Sequence, residues 1–119
     1  MIQAWYAHIY KQIERIAWRH GYALALHGTM SRDLDVVAIP WTEDASDQKK
    51  LIATIDKAIV NPEWRRSTKT VKRGCPVGTE KPHGRKAYAI MFDHDGSYVD
   101  ISVMPRLSKS DLKKLGDLK

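Results

Sequence analysis

The chain has 119 residues, of which 43% are hydrophobic and 29% are charged, and its formal net charge is +6. This length and composition are typical of one folded domain over residues 1–119 and exclude an intrinsically disordered chain. The single cysteine, Cys75, excludes an internal disulfide and favours a reducing compartment. The first residues do not match a signal peptide and no apolar run could span a bilayer, so we expect a cytoplasmic protein without a membrane partner. The basic balance indicates an anionic partner, although a solvated basic surface explains the charge nearly as well.

The first third of the chain predicts a helix followed by two strands. Residues 3–20 carry apolar side chains at helical spacing, and Gly21 is a suitable end for that helix. The apolar segments 22–27 and 33–39 predict two strands joined by a tight turn. Pro40 ends the second strand, because proline cannot donate to a sheet ladder.

The middle of the chain predicts one helix and then less regular structure. Apolar residues at helical spacing run from Leu51 to Ile59, and Thr42 or Ser46 can cap the start of that helix. Residues 63–73 are basic and are compatible with either a strand or a solvated loop. Residues 74–84 contain several glycines and prolines and predict a loop.

The last third predicts a hairpin, with strands at 87–92 and 98–103 around a glycine-containing turn. Together the elements predict an α/β (α+β) domain with a C-terminal β-hairpin.

Three aspartates lie where the predicted strands would bring them together. Asp33 and Asp35 are two residues apart at the start of a strand and therefore point to the same face. Asp100 lies in the middle of a later strand, where an unpartnered carboxylate is costly. If the two strands are neighbours, three carboxylates converge beside the Gly28 turn, as in sites for Mg²⁺ or Mn²⁺. Taken alone, Asp33 and Asp35 are more commonly explained as turn-capping side chains, and it is the addition of Gly28 and Asp100 that favours a site.

These motifs resemble those of the nucleotidyltransferase superfamily, in which a strand ends in Gly-Ser or Gly-Gly, an Asp-hydrophobic-Asp-hydrophobic strand follows, and a third Asp lies on a later strand. The matching residues are Gly28-Thr29, Asp33-Leu34-Asp35-Val36 and Asp100. The resemblance implies a mixed β-sheet with helices packed on one face. It also implies that Asp33, Asp35 and Asp100 bind the metal and carry catalysis, and that Gly28 and Thr29 face phosphate. The chain is also similar to short phage proteins with the signatures Leu-His-Gly-Thr, Arg-Asp-Leu-Asp, Lys-Pro-His-Gly-Arg and Asp-Ile-Ser-Val-Met-Pro, which would place it in the host cytoplasm.

Further polar residues are candidates for the same site. His27 adjoins the Gly28 turn, and His83 lies between basic residues in a glycine-containing loop, so either can act as an acid or base or contact phosphate. A solvated loop histidine explains His83 equally well. The candidates for phosphate contacts are Ser31, Arg32, Lys81, Arg85, Ser102 and Arg106.

Three functions remain open from the sequence. The first is metal-dependent nucleotidyl transfer or phosphodiester cleavage on a nucleotide. The second is a phage protein that binds a linear or cyclic nucleotide without turnover and sequesters a host immune signal. The third, nucleic-acid binding through residues 63–73, ranks behind them because no recognised nucleic-acid-binding motif is present. The aromatic residues of the first helix belong to the core or to a contact between copies of the chain, so a homo-oligomer is a further candidate.

Overall fold

The structure is a computed structural model that describes residues 4–28, 33–60, 78–91 and 98–106, together with residues 110, 113, 114 and 116. Two α-helices and five strands are assigned within these residues, and neither helix is long and apolar enough to cross a membrane. In chain order the elements are α1 (Ala4–Arg19), β1 (Tyr22–His27), β2 (Leu34–Pro40), α2 (Gln48–Ile59), β3 (Thr79–Glu80), β4 (Lys86–Met91) and β5 (Tyr98–Val103).

The five strands form one mixed sheet in the order β1-β2-β5-β4-β3. β2 and β5 are parallel neighbours, and the other three pairs are antiparallel. The parallel pair matters most for the site, because it places the starts of two strands that are distant in sequence next to each other. The predicted mixed sheet, the helices and the pairing of the two C-terminal strands are confirmed.

Both helices pack on one face of the sheet. The alternation along each strand places Leu34, Val36 and Ala38 of β2 and the apolar residues of β5 in the core, while their sequence neighbours point the other way. The residues that share this single core are Tyr6, Ile9, Ile13 and Ala17 of α1, Leu51, Ile52, Ile55 and Ile59 of α2, and Tyr88, Ile90, Val99, Ile101 and Val103 of the sheet. The opposite face, called the open face below, carries Asp35, Val37, Asp100 and Ser102.

A compact turn joins α1 to β1 and explains the glycine at its centre. Gly21 has φ +82°, and a Cβ atom at this position would lie 2.7 Å from the Cα of Ala45. The neighbouring loop is held by Tyr22, whose hydroxyl donates to the Ser46 carbonyl at 2.7 Å, and by a 2.9 Å hydrogen bond between His20 Nδ1 and Ser46 Oγ. Only glycine meets both the backbone and the space requirement here.

Two local predictions need correction. Residues 79–80 form the short strand β3, which the glycine- and proline-rich composition of the surrounding segment concealed. The N-cap position of α2 is occupied by Asp47, whose side chain makes no capping hydrogen bond, while the Ser46 hydroxyl bonds to His20 instead. The basic run 63–73 and Cys75 lie outside the described residues.

Candidate functional site

The sheet register brings Asp35 and Asp100 side by side on the open face. β2 and β5 pair with Asp35 opposite Asp100, and β1 places His27 opposite Asp35 on the other side. Because neighbouring strands lie about 4.8 Å apart, these three side chains form a continuous row across the sheet. Asp33 is exposed and directly precedes β2, so the strand alternation directs it to the same face. The parallel β2–β5 pairing therefore brings Asp100 beside Asp35, and the antiparallel β1–β2 pairing adds His27 on the other side.

The turn after β1 brings backbone close to this row. Gly28 has φ +93°, a conformation that side chains rarely adopt, and a Cβ atom here would lie 3.9 Å from Asp35 Oδ2. A ligand bound by Asp35 would therefore meet exposed backbone rather than a side chain at this position. The predicted phosphate contacts Thr29, Ser31 and Arg32 lie outside the described residues.

A pocket of about 300 Å³ opens above the row of acidic residues and is called the carboxylate pocket below. Its polar lining combines the row with a hydroxyl and one cationic side chain: His27, Asp35, Asp100, Ser102 and Arg85. Arg85 is the first residue after the tight turn that joins β3 to β4, and its Nε donates to the Pro82 carbonyl at 3.2 Å. The pocket thus offers oxygen donors for a cation and a guanidinium for an anion at one site.

The pKa of Asp35 reflects its partial burial and the charged groups beside it. Burial raises the pKa of the Asp35 carboxyl above its ordinary value, and the negative charges of Asp100 and Asp33 raise it further. His27 acts in the opposite direction and lowers the pKa of Asp35. The neighbouring carboxylates therefore repel one another, and a bound cation would offset this repulsion.

Three predicted site residues are not brought into the carboxylate pocket. His83 and Lys81 are exposed in the β3–β4 turn, where His83 is the non-glycine residue with positive φ (67°) among the described residues. Arg106 donates a hydrogen bond to the carbonyl of Ala45, next to Tyr22 and on the helix side of the sheet. Arg106 therefore stabilises the loop before α2 in this structure.

Sequence reasoning did not single out Tyr98, which lies on the open face within the electrostatic influence of the aspartates but outside the lining of the carboxylate pocket. The Asp33 carboxylate, more than any other group, raises the pKa of the Tyr98 hydroxyl, and burial, Asp35 and Asp100 act in the same direction. Tyr98 is two residues before Asp100 and therefore shares its face of β5. The two-residue spacing from Asp100 is visible in the sequence. It places Tyr98 near Asp33 and Asp35 only when β5 is known to lie beside β2.

The donor set fits a hard divalent cation only in part. Within the described residues, no group of three or more histidine, cysteine, aspartate or glutamate side chains is arranged to hold a metal ion. Mg²⁺, however, is commonly bound by one or two carboxylates together with water and substrate phosphates. The neighbouring Asp35 and Asp100 fit this second mode and not a preformed three-carboxylate cage.

No protein-family model matches the chain, and no curated protein sequence matches it. Membership of the nucleotidyltransferase superfamily therefore stays a prediction that depends on the motifs, and the functional argument depends on the geometry of the carboxylate pocket.

Proposed function

We propose that this protein carries out divalent-metal-dependent phosphoryl chemistry on a nucleotide, by nucleotidyl transfer or phosphodiester cleavage. The observation that supports the proposal most directly is the β2–β5 register, which sets Asp35 beside Asp100 with His27 adjacent. Nucleotide phosphates are the anions that a pair of carboxylates would bind through a shared cation. The protein would act in the cytoplasm, which for a phage protein is that of the host.

Each residue of the carboxylate pocket has a separate role in this proposal. Asp35 and Asp100 would hold Mg²⁺ or Mn²⁺, with Asp33 as a third oxygen donor on the solvent side. When bound, such an ion polarises a phosphoryl oxygen and neutralises charge that develops on it. Arg85 and Ser102 would bind and orient the phosphate, since a guanidinium and a hydroxyl both donate to phosphate oxygens. His27 lies opposite Asp35 and is the residue we assign to accept or return a proton.

A second candidate function is nucleotide binding without turnover, in which the protein sequesters a host signal. The observation that favours it is the absence, within the described residues, of a converged group of three metal ligands. In this case Arg85 and the backbone at Gly28 would contribute the phosphate contacts, and affinity would not require a cation. Nucleic-acid binding through residues 63–73 remains a third candidate that the described residues do not address.

The deciding experiment offers the purified protein nucleoside triphosphates and linear and cyclic dinucleotides with Mg²⁺, Mn²⁺ or EDTA, and identifies products by mass spectrometry. Products that disappear with EDTA and with Asp35→Asn support the enzyme. Asp44→Asn is the matched control, because Asp44 is an exposed carboxylate in the loop beyond the far end of β2. A ligand that binds in EDTA and returns unchanged on denaturation would instead favour sequestration. The absence of both products and binding would refute a nucleotide function.

A further inference from the structure

The two edges of the sheet differ in how well they resist pairing with another chain. β3, at one edge, has two residues and ends on the charged Glu80. β1, at the other edge, has six residues, contains no lysine, glutamate or proline, and pairs with β2 without a bulge. No strand of the described residues pairs with the outer side of β1. Natural proteins normally shorten, charge or cover such an edge, so β1 has the properties of a pairing surface.

The hydrogen bonds of β1 show which of its backbone groups face outwards. The Trp41 amide donates to the Gly21 carbonyl at 3.0 Å, so alternate residues from Gly21 onwards bond to β2. The backbone groups of Tyr22, Leu24 and Leu26 therefore point away from the sheet. Among the described residues, the Tyr10 hydroxyl approaches the Leu24 carbonyl at 3.5 Å, which is longer than an ordinary hydrogen bond. The edge thus presents the outward amides of three residues, and the Leu24 carbonyl, which the Tyr10 hydroxyl approaches, has a second lone pair for another donor.

The surface beside this edge is partly apolar and carries both signs of charge. A groove of about 460 Å³ lies between α1 and β1; its lining includes Trp18 and the charged residues Glu14, Arg15 and Arg19. The Trp18 side chain is 64% exposed, and Leu26 at the end of β1 is 39% exposed. Contact with another chain along β1 would remove both apolar side chains from water.

We propose that β1 pairs antiparallel with β1 of a second copy of this chain, about a two-fold axis beside Leu24. In this register Leu24 lies opposite Leu24 of the second copy, and Tyr22 lies opposite Leu26, so every outward group of the strand finds a partner. An antiparallel edge is complementary to itself, and a two-fold contact closes on a dimer. Glu14 lies 3.6 Å from Lys11 Nζ in its own chain, and it lines the groove beside Leu24 together with Arg15, so each copy's acid would also face the other copy's base across the axis.

The paired strands would make one continuous sheet with both carboxylate pockets on the same side. A two-fold axis that relates antiparallel neighbours runs perpendicular to the sheet, so the two α1 helices lie together on one face and the two open faces form the other. Gly21 of the second copy comes opposite His27, at the side of the pocket nearest the seam. This inference concerns the edge of the sheet and does not depend on the proposed chemistry.

Light scattering after size exclusion tests the proposal over a range of concentrations. We expect a mass of twice the 13.6 kDa chain that falls towards 13.6 kDa on dilution. Leu26→Pro removes an amide that points away from β2, so the fold should survive, but it deletes one hydrogen bond at each end of the seam. The loss of these two backbone hydrogen bonds should raise the dimer dissociation constant about ten- to a hundredfold. Leu26→Ala keeps the amide and should weaken the dimer less than Leu26→Pro.

Two further measurements keep the test decisive. If circular dichroism shows that Leu26→Pro does not fold, Leu26→Lys places a charge at the same edge and should also yield the monomer, whereas Met91→Lys, on the open face of β4, should not. Amide exchange by NMR should slow at Leu24 and Leu26 as concentration rises, while Ala25, already bonded to β2, is unchanged. A wild-type mass of 13.6 kDa at every concentration, fast exchange at Leu24 throughout, or equal effects of Leu26→Lys and Met91→Lys would overturn the proposal.

Discussion

Replacing Asp35 by asparagine should stabilise the protein in EDTA while abolishing the proposed phosphoryl chemistry. The pKa of Asp35 is raised in the folded state by burial and by the charges of Asp100 and Asp33, above the ordinary value of 3.8. The folded state therefore binds this proton more tightly than the unfolded chain, and ionised Asp35 lowers the free energy of unfolding at neutral pH. Asparagine keeps the shape and removes the charge. The gain should be present at neutral pH and should shrink as pH falls from the raised pKa to about 3.8, where Asp35 itself becomes neutral.

The strand register sets the size of the effect. The carboxylates of Asp35 and Asp100 project from neighbouring strands about 4.8 Å apart. Two unit charges at about 5 Å repel by about 0.8 kcal/mol in water and by about 3 kcal/mol at an effective dielectric constant of 20. Because the carboxylate pocket is open to solvent, we expect a value near the lower limit. A gain of about 1 kcal/mol corresponds to a rise of about 4 °C in Tm.

Thermal unfolding in EDTA measures the repulsion between the carboxylates, and thermal unfolding in Mg²⁺ measures how far a cation offsets it. In EDTA, Asp35→Asn and Asp100→Asn should each raise Tm, and the double variant should gain less than the sum because both changes relieve the same repulsion. Mg²⁺ at about ten times its dissociation constant should stabilise the wild type by about 1.4 kcal/mol and either single variant by less. Asp44→Asn should change neither result. A loss of stability in Asp35→Asn, or equal stabilisation of wild type and variants by Mg²⁺, would refute the reasoning.

Other predictions concern the glycine turn, the arginines and the strained histidine. Gly21→Ala should lower the free energy of unfolding, measured in urea, by about 2–4 kcal/mol, because Gly21 has a positive φ and a Cβ atom there would contact Ala45. Gly116 has open space around it, so Gly116→Ala should not lower the free energy of unfolding. Equal effects of the two substitutions would contradict this reasoning. Arg106→Ala should cost about 1–3 kcal/mol of stability and leave nucleotide affinity unchanged, because the Ala45 carbonyl loses its partner. Arg85→Ala should leave stability unchanged and weaken nucleotide binding, measured by calorimetry, about tenfold. A loss of affinity in Arg106→Ala together with a loss of stability in Arg85→Ala would contradict these two assignments. His83→Gly should raise the free energy of unfolding by up to about 1 kcal/mol, and a loss would show that the imidazole makes a stabilising contact.

Much of the secondary structure could be predicted because it depends on local periodicity. The strands at 22–27 and 98–103 were predicted with the bounds that the structure has, since alternating or continuous apolar runs between turn residues are a local signal. The position of β3 could not be predicted, because two residues carry no periodicity and their strand character comes entirely from pairing with β4. The roles of Arg85 and Arg106 could not be separated either, since both are arginines close to a predicted strand.

The sequence by itself determined the helices, the main strands and the faces on which Asp35 and Asp100 lie, because side-chain direction follows from strand alternation alone. The tertiary structure decided that β2 and β5 are parallel neighbours, which makes three separated aspartates a single charged cluster beside His27. It also decided that Arg85 reaches that cluster while Arg106 turns to Ala45, and that β1 is left at an edge. Which strands become neighbours depends on how the whole chain buries its apolar faces, and no local pattern of residues contains that information.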